Sequence, residues 1–183
     1  MTVAEFLDWE ERQELRWEFD GFQPIAMTGG TRAHETISGN IFFALRSRLT
    51  GQHCQVFGAN LKIEVAGRIR YPDAFVTCTS GPGKQTVVQD AVVVFEVLSD
   101  STSRTDRITK LREYGATPSI QRYVILEQDA IAAMVFVRKG ADLVAEALTA
   151  ADTLRMPEID AEVPMTEFYE GVALPEEVIT QSE

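Results

Sequence analysis

The chain has 183 residues, of which 45% are apolar and 25% are charged, and its formal net charge is −11. This length and composition are ordinary for one globular domain. The excess of acidic residues argues against strong non-specific binding to nucleic acid, because proteins that bind mainly by neutralising phosphates tend to be basic. A local basic patch is not excluded, since Arg and Lys are concentrated in the middle of the chain.

The sequence predicts neither a signal peptide nor a membrane span. Its N-terminal segment is rich in Asp and Glu, whereas a signal peptide needs an apolar core, and no run of about 18 apolar residues occurs. The two cysteines, Cys54 and Cys78, form no CxxC motif. In a chain of this size without a signal peptide they favour reduced thiols, so we expect a cytoplasmic protein.

The N-terminal part predicts a helix, a hairpin and a second, longer helix. Thr2 can cap the first helix, and Asp20-Gly21 is a strong hairpin turn. Apolar residues recur on one face from Arg32 to Leu49, which is typical of an amphipathic helix. The predicted elements are a helix over 2–13, strands over 15–20 and 22–27, and a helix over 32–49.

The rest of the chain predicts a mixed sheet with one crossover helix. The predicted elements are strands over 55–65, 69–77, 92–98 and 121–127, a helix over 103–115, a meander over 130–139, 143–148 and a piece near 154, and a short helix over 163–170. This order predicts an α/β (α+β) fold in which helices flank a mixed β-sheet, with an N-terminal helix-hairpin and a C-terminal antiparallel meander. We expect one domain over 1–173 and a flexible acidic tail over 174–183.

An acidic residue interrupts the most apolar strand. The run VVVFEVLS, residues 92–99, is typical of a buried strand, and it contains Glu96. A buried, ionised carboxylate is costly, so Glu96 should have a cation, a hydrogen-bond partner or a raised pKa. Lys110 lies about two turns into the next helix, roughly 10 Å along its axis. If that helix folds back over the strand, Lys110 can approach Glu96.

The helix that carries Lys110 has recognisable ends and faces. Ser103 followed by Asp106 fits a capping box at its start, although Glu or Gln is the better partner at the third position after the cap. Ile108, Leu111 and Gly115 predict a face that lies flat on the sheet.

A second carboxylate belongs to the neighbouring predicted strand. Asp73 follows Pro72 in RYPDAFV, residues 70–76. Two carboxylates side by side repel each other unless a proton or a cation lies between them. Oxygen ligands suit Mg²⁺ or Mn²⁺, and such an ion activates water and neutralises charge at phosphorus.

Plainer readings of the same residues stay open. Asp73 can end a turn after Pro72, and Lys110 can pair with Asp106 on its own helix. Other chemistries have less support: no GxSxG motif surrounds a serine, and the two histidines and two cysteines are dispersed without zinc-ligand spacing.

Several motifs in a fixed order resemble one family. They are WEFDGFQPIAMTG, AHETISGNIFFAL, RYPDAFV, VVFEVLS, DRITKLREYG and YVILE. Together they resemble the Uma-two family of restriction-endonuclease-like proteins, within the PD-(D/E)xK nuclease superfamily. The resemblance extends roughly from Thr2 to Leu148, and it implies a restriction-endonuclease-like fold.

The resemblance also implies roles for individual residues. Asp73 and Glu96 match metal ligands, with Glu18 as a further acidic candidate near the start of the domain. The superfamily places its lysine two residues after the glutamate, where this chain has Leu98. Members of this family place the lysine on the following helix, which Lys110 matches, so the expected catalytic residues are Asp73, Glu96 and Lys110.

His34 matches a family position near a helix start and could line the cleft. For Glu18 and His34 the plainer alternatives stay open, because a strand glutamate is usually solvated and a lone histidine on an apolar helix face is usually packed or hydrogen-bonded.

These features predict a Mg²⁺- or Mn²⁺-dependent endonuclease that hydrolyses phosphodiester bonds of DNA. Duplex cleavage uses two active sites, so we expect a homodimer, although no interface can be read from the sequence. The alternative is a catalytically inactive protein that keeps the fold as an interaction or assembly module. Its motivation is the net negative charge and the absence of lysine at Leu98.

Overall fold

The computed structural model describes the backbone of residues 1–27, 29–98 and 104–175, and their side chains except those of residues 104–106. Its helices are α1 (Val3–Glu10), α2 (Arg32–Leu49) and α3 (Arg104–Gly115). Its strands are β1 (Trp17–Phe19), β2 (Pro24–Ala26), β3 (Gln55–Gly58), β4 (Lys62–Val65), β5 (Arg68–Arg70), β6 (Ala74–Thr77), β7 (Val87–Val88), β8 (Ala91–Val97), β9 (Arg122–Leu126), β10 (Ala132–Lys139), β11 (Asp142–Thr149), β12 (Thr153–Met156) and β13 (Ala161–Pro164). Two short 3₁₀ turns lie at Pro157–Ile159 and Met165–Tyr169.

A six-stranded mixed sheet forms the centre of the fold, in the order β11-β10-β9-β8-β6-β3. Strands β8 and β9 are parallel, and α3 connects them, because parallel neighbours need a crossover. The other described neighbours are antiparallel. Strands β6 and β8, which the sequence marks as the carriers of the two carboxylates, are direct neighbours.

Two smaller sheets complete the strands. The first has five strands in the order β2-β1-β5-β4-β7, and the second is the hairpin of β12 and β13. In the five-stranded sheet β1 pairs with both β2 and β5. Glu18 lies at the centre of β1, so this sheet brings the N-terminal hairpin next to the segment that precedes β6.

Both faces of the six-stranded sheet are covered. Along β8, Val93, Phe95 and Val97 belong to one apolar cluster, whereas Val94 belongs to another, as the alternation of a strand requires. The first cluster contains α2 and the C-terminal residues 154–169. The second contains β4 and α3. Glu96 alternates with Phe95 and Val97, so it shares the face of Val94, towards α3.

The two N-terminal helices confirm their predicted signals. Thr2 caps α1 in a full capping box with Glu5. Helix α2 spans Arg32–Leu49 as expected, with Thr31 as its N-cap, because the Thr31 hydroxyl accepts a hydrogen bond from the backbone of His34. Gly51 has φ +85°, a left-handed conformation that glycine adopts without strain, and it lies directly after the helix end.

Two of the predicted strands are each divided between sheets. Residues 55–65 form β3 in the six-stranded sheet and β4 in the five-stranded sheet, separated by a turn after Gly58. Residues 69–77 likewise divide between β5 and β6, with Pro72 in the break. Proline lacks an N–H and cannot continue a ladder, so the chain changes sheets there. Asp73 is therefore the last residue before β6.

The predictions for the C-terminal part need correction. Strand β12 pairs with β13 in a separate hairpin, so the meander consists of β9, β10 and β11. Of the short helix predicted over 163–170, residues 163–164 end β13 instead, and Met165–Tyr169 form a short 3₁₀ helix. Their apolar residues alternate along β13 and then fill the first cluster, with Phe168 fully buried.

Helix α3 turns a different face to the sheet from the one predicted. Ile108 is 44% exposed, whereas Lys110, Glu113 and Tyr114 are buried. Leu111 packs only partly against the second cluster. The buried face of α3 is thus largely polar, and its polar groups need partners in the sheet.

The prediction of two reduced thiols is wrong, because Cys54 and Cys78 form a disulfide. Cys54 precedes β3 and Cys78 follows β6, and the pair Gln55–Thr77 in the register places the two cysteines side by side. They are 24 residues apart in the sequence, so only strand pairing reveals their proximity. The expectation of a cytoplasmic location rested on reduced thiols, and the disulfide removes that support.

Three predicted features lie outside the described residues. They are the capping box of Ser103 and Asp106, the pairing of Lys110 with Asp106, and the acidic tail beyond residue 175. Leu174, where the predicted tail begins, packs partly against the first cluster. None of the described helices is both long and apolar enough to cross a membrane.

Candidate metal centre

Glu96 and Lys110 meet as their positions predict. Glu96 lies near the end of β8 on the face covered by α3, and its side chain is 13% exposed. Lys110 Nζ lies 3.1 Å from Oε1 and 3.2 Å from Oε2 of that carboxylate. Lys110 therefore contacts Glu96 from the helix, although the position two residues after the glutamate is Leu98.

Tyr114 is a further partner of Glu96. Its hydroxyl donates a hydrogen bond to Glu96 Oε1 at 2.9 Å, and the residue is fully buried. Its ring packs edge-on against Tyr123, with ring centroids 4.6 Å apart. Since Tyr114 follows Lys110 by four residues, both side chains lie on one face of α3 and reach the same carboxylate.

Asp73 is held by the backbone of the neighbouring strand. Its Oδ2 accepts a hydrogen bond from the N–H of Val97 at 2.7 Å. The register pairs Ala74 with Phe95, so one more antiparallel step places Asp73 opposite Glu96. The two predicted metal ligands thus lie at the same end of adjacent strands.

His34 reaches Asp73 from the first turn of α2. His34 Nε2 lies 3.3 Å from Asp73 Oδ1, and the His34 side chain is 15% exposed. The other ring nitrogen, Nδ1, is buried and makes no hydrogen bond within the described residues. His34 therefore lies beside the carboxylates, as its expected cleft-lining position requires.

Glu18 lies in the site and is not solvated. Its Oε1 accepts the N–H of Tyr71 at 3.1 Å and lies 3.8 Å from Lys110 Nζ. Its Oε2 accepts a hydrogen bond from Arg70 at 3.1 Å. Three carboxylates, those of Glu18, Asp73 and Glu96, therefore belong to one cluster with Lys110.

A buried network of ion pairs among Arg68, Arg70, Glu113 and Glu18 holds this cluster in place. Arg70 is only 1% exposed and donates two hydrogen bonds of 2.7 Å to Glu113 on α3, besides the one to Glu18. Arg68 lies 2.9 Å from Glu113 as well. Burial alone would lower the pKa of Arg70. Its hydrogen bonds to Glu113 and the charge of Glu18 together outweigh burial, so the pKa lies above its usual value. The network joins β5, β1 and α3.

The site shifts the pKa values of its own groups. Burial, with smaller contributions from the negative charges of Asp73 and Glu18, raises the pKa of Glu96 to about 7 against the opposing charge of Lys110. The hydrogen bond to Asp73 raises the pKa of His34 although burial lowers it. Burial and the charge of Glu96 hold the pKa of Tyr114 well above its usual value.

The donor set fits a hard divalent cation. It consists of carboxylate oxygens, which are the ligands that Mg²⁺ and Mn²⁺ prefer. The pKa of Glu96 stays raised because the charge of Lys110 does not outweigh burial together with the negative charges of Asp73 and Glu18. A bound cation would favour the ionised form of Glu96 and offset that negative charge.

The five predicted site residues, Glu18, His34, Asp73, Glu96 and Lys110, are brought together. The sequence reasoning missed Tyr114, although its spacing from Lys110 was a usable signal. It also missed Arg70 and Glu113, which are 43 residues apart and carry no local signal.

The fold places the chain among restriction-endonuclease-like proteins. A solved structure described as "a putative nuclease belonging to DUF820" from Anabaena variabilis is similar with a TM-score of 0.77 at 15% identity. The match covers 94% of this chain and 99% of that chain. The fold is therefore restriction-endonuclease-like, a mixed sheet flanked by helices.

The family follows from the sequence itself. The chain belongs to the Uma2 family, described as "Putative restriction endonuclease", whose model matches residues 3–165. An uncharacterized protein of Synechocystis sp. is 31% identical over 94% of this chain and 93% of its own length. A second uncharacterized protein of that organism is 25% identical over 70% of this chain and 75% of its own length.

Proposed function

We propose that the protein is a divalent-metal-dependent endonuclease that hydrolyses phosphodiester bonds in DNA. The supporting observation is the contact of Lys110 with both oxygens of Glu96 at 3.1 and 3.2 Å. It gives the site a lysine beside its carboxylates although Leu98 occupies the usual position. Family membership supports a nuclease, and DNA as the substrate is part of the proposal.

Asp73 and Glu96 would hold the metal ion. Mg²⁺ or Mn²⁺ bound there would lower the pKa of a water molecule and neutralise charge at the phosphorus. Asp73 is fixed for this role by the hydrogen bond from Val97 and the contact with His34. Glu96 is fixed by Tyr114 and Lys110.

Lys110 would act as the catalytic cation. Its ammonium group lies between Glu96 and Glu18, at 3.1 and 3.8 Å, so its position is set from two sides. An ammonium group held in this way can orient the attacking water or stabilise the negative charge that develops on the phosphate oxygens. Tyr114 and His34 are positioning residues in this scheme, because each contacts a carboxylate.

Glu18 is less available as a metal ligand than Asp73. Both of its oxygens already accept hydrogen bonds, one from Tyr71 and one from Arg70. It can complete the ligand set with a remaining lone pair, and it holds Lys110 in place. Glu18→Gln should therefore weaken Mn²⁺ binding less than Asp73→Asn does, which calorimetric titration measures.

The proposal includes a homodimer, because cleavage of a duplex uses two active sites. It also includes a single domain over residues 1–173, in the cytoplasm. Sedimentation of the full chain with and without duplex DNA tests whether the chain is a homodimer.

Cleavage assays test the proposed activity. Supercoiled plasmid and labelled oligonucleotides are incubated with Mg²⁺ or Mn²⁺ and with the native chain, Asp73→Ala, Glu96→Ala or Lys110→Ala. Each change should reduce the rate at least about a hundredfold, the order of magnitude lost when one stabilising group is removed. Lys139→Ala, which removes an exposed lysine at the end of β10, is the matched control and should retain activity. Cleavage that survives all three site changes rules the site out.

The net charge of −11 favours one other function, that of an inactive interaction or assembly module. Metal titration separates the two. A nuclease gains thermal stability from Mg²⁺ or Mn²⁺, because an ion that binds only the folded state stabilises it. Asp73→Asn should lose that gain. A native chain that responds to neither metal nor DNA, and that is recovered with a protein partner, supports the module.

A further inference from the structure

A second group of metal-ligating side chains lies outside the carboxylate cluster. His53, Cys54 and Cys78 each offer a ligand atom, and these three atoms lie within 4.8 Å of one another. His53 Nε2 lies 3.4 Å from Cys54 Sγ. The group sits where β3 begins and β6 ends. Asp73 precedes β6, so this group and the proposed nuclease site lie at opposite ends of that strand.

The group is open to solvent on one side and anchored on the other. Cys54 is 1% exposed, Cys78 is half-buried and His53 is exposed. The paired strands β3 and β6 fix the two cysteines side by side. An ion can therefore approach from the side of His53 and meet both sulfur atoms without rearrangement of the sheet.

The chemistry of these ligands differs from that of the carboxylates. Thiolates and imidazole prefer soft or borderline ions such as Zn²⁺, whereas Mg²⁺ prefers oxygen. Two cysteines and one histidine leave a fourth tetrahedral position for water. The sequence spacing gave no zinc signal because the pairing of β3 with β6, and not a short motif, creates the site.

We propose that the reduced protein binds a thiophilic divalent ion, such as Zn²⁺, through His53, Cys54 and Cys78, and that the disulfide closes this site. The disulfide ties up both sulfur atoms, so the oxidised chain cannot offer thiolates. Reduction by a water-soluble phosphine supplies two electrons and converts the phosphine to its oxide with the oxygen of one water molecule. The two hydrogens of that water end on the two sulfur atoms, and Zn²⁺ then displaces both as protons.

Metal titration of the full native chain tests this site. Oxidised and phosphine-reduced samples are titrated with Co²⁺ and Zn²⁺ in excess Mg²⁺, which occupies oxygen ligands and not thiolates. The reduced sample should bind one equivalent and show a thiolate-to-Co²⁺ charge-transfer band that Zn²⁺ removes. The oxidised sample should show no such band. Because the readout is metal binding, failure of the nuclease proposal does not affect it.

Single changes identify the ligands. Cys78→Ser should abolish the charge-transfer band. His53→Ala should weaken Zn²⁺ binding at least about tenfold, since even changes outside a ligand set cost that much. Gln52→Ala, an exposed neighbour, is the matched control and should leave the charge-transfer band and the Zn²⁺ affinity unchanged. A reduced native chain without the band, or equal Zn²⁺ affinity before and after reduction, overturns the proposal without reliance on any variant.

Discussion

Glu96 is the residue on which the electrostatics of the site depend. Its carboxylate is buried beside two other carboxylates, and burial is the largest of the effects that raise its pKa to about 7. Lys110 and Tyr114 act in the opposite direction, because both contact the ionised form. The protonation of Glu96 therefore changes within the range of pH in which the protein can be studied, and metal binding reports it.

Mn²⁺ affinity should rise with pH and level off above about pH 7, the raised pKa of Glu96. Below that pKa the carboxyl group holds a proton that must leave before the metal binds, so affinity should change by up to about tenfold per pH unit. Calorimetric titration between about pH 5.5 and 8.5 measures the profile. Glu96→Gln should bind weakly and should lose the part of the profile that Glu96 causes, while any part due to His34 stays. A native affinity that is the same at both ends of the range contradicts the prediction.

Tyr114→Phe should move this profile to higher pH. The Tyr114 hydroxyl lowers the pKa of Glu96 by donating to its Oε1, so its removal raises that pKa further. A hydrogen bond to a charged group is worth about 1.5 kcal/mol or more, which corresponds to about one pH unit. Tyr169→Phe is the control, because that hydroxyl bonds only to the carbonyls of Glu127 and Ala132. An unshifted midpoint in Tyr114→Phe shows that the hydroxyl does not tune Glu96.

At the scale of the element, α3 is a polar helix that is fixed by ion pairs. Among its side chains from residue 107 onward, Lys110, Glu113 and Tyr114 are buried, and all three bond to charged or polar groups of the strands. Arg70 on β5 links Glu113 to Glu18. The position of Lys110 therefore also depends on Arg70 and Glu113, which lie outside the carboxylate cluster.

Arg70→Met should destabilise the fold by about 3 kcal/mol, because it removes a buried cation from the Glu113 and Glu18 carboxylates. The loss should lie at the lower end of the usual range, since Arg68 still contacts Glu113 and Lys110 still lies near Glu18. Arg155→Met is the matched control: Arg155 pairs with Glu162, but its side chain is 72% exposed, and such surface pairs contribute about 1 kcal/mol or less. Urea unfolding of both variants and of the native chain measures how far each change lowers the free energy of unfolding. Equal losses in the two variants are incompatible with a buried, structural role for Arg70.

The elements differ in how far the sequence predicts them. Helix α2 has periodic apolar residues, a capping Thr31 and a terminating Gly51, so local signals fix both of its ends. The division of residues 69–77 between two sheets depends on partners distant in the sequence, and Pro72 marked only an irregularity. The exposed face of α3 was mistaken for the buried one because Ile108 is apolar, whereas charged Lys110 and Glu113 find partners only in the folded chain.

The residues of the candidate site also differ in how far the sequence predicts them. Glu96 was predictable because a carboxylate in an apolar strand violates the local pattern, and the helix rise placed Lys110 within reach. Asp73 was marked as a second carboxylate on the neighbouring predicted strand, and the family resemblance then implied its role as a metal ligand. His34 needed the family resemblance, since it has no local signature. The disulfide of Cys54 with Cys78 needed the register of β3 and β6, which no spacing reveals.

For the whole molecule, a six-stranded sheet carries its site on one face and its larger core on the other. The N-terminal hairpin and α3 surround the carboxylates, while α2 and the C-terminal residues cover the opposite face. The net charge of −11 is unfavourable for DNA as a whole, so a phosphate can approach the carboxylates only if their charge is offset.

Without a divalent ion, Asp73→Asn/Glu96→Gln should therefore bind duplex DNA more tightly than the native chain does. A unit charge about 4 Å from a phosphate contributes roughly 1 kcal/mol in water. Above pH 7, where Glu96 is ionised, removal of two charges should therefore improve affinity about thirtyfold at low salt. Fluorescence anisotropy in EDTA, at low and high salt, measures the change, which should shrink as salt screens it. Asp160→Asn/Glu162→Gln is the matched control: it makes the same change in net charge at exposed positions of the C-terminal hairpin, and Asn tolerates the left-handed φ of +51° at residue 160. If both double variants improve binding equally, net charge alone is responsible and the carboxylate cluster does not face the DNA.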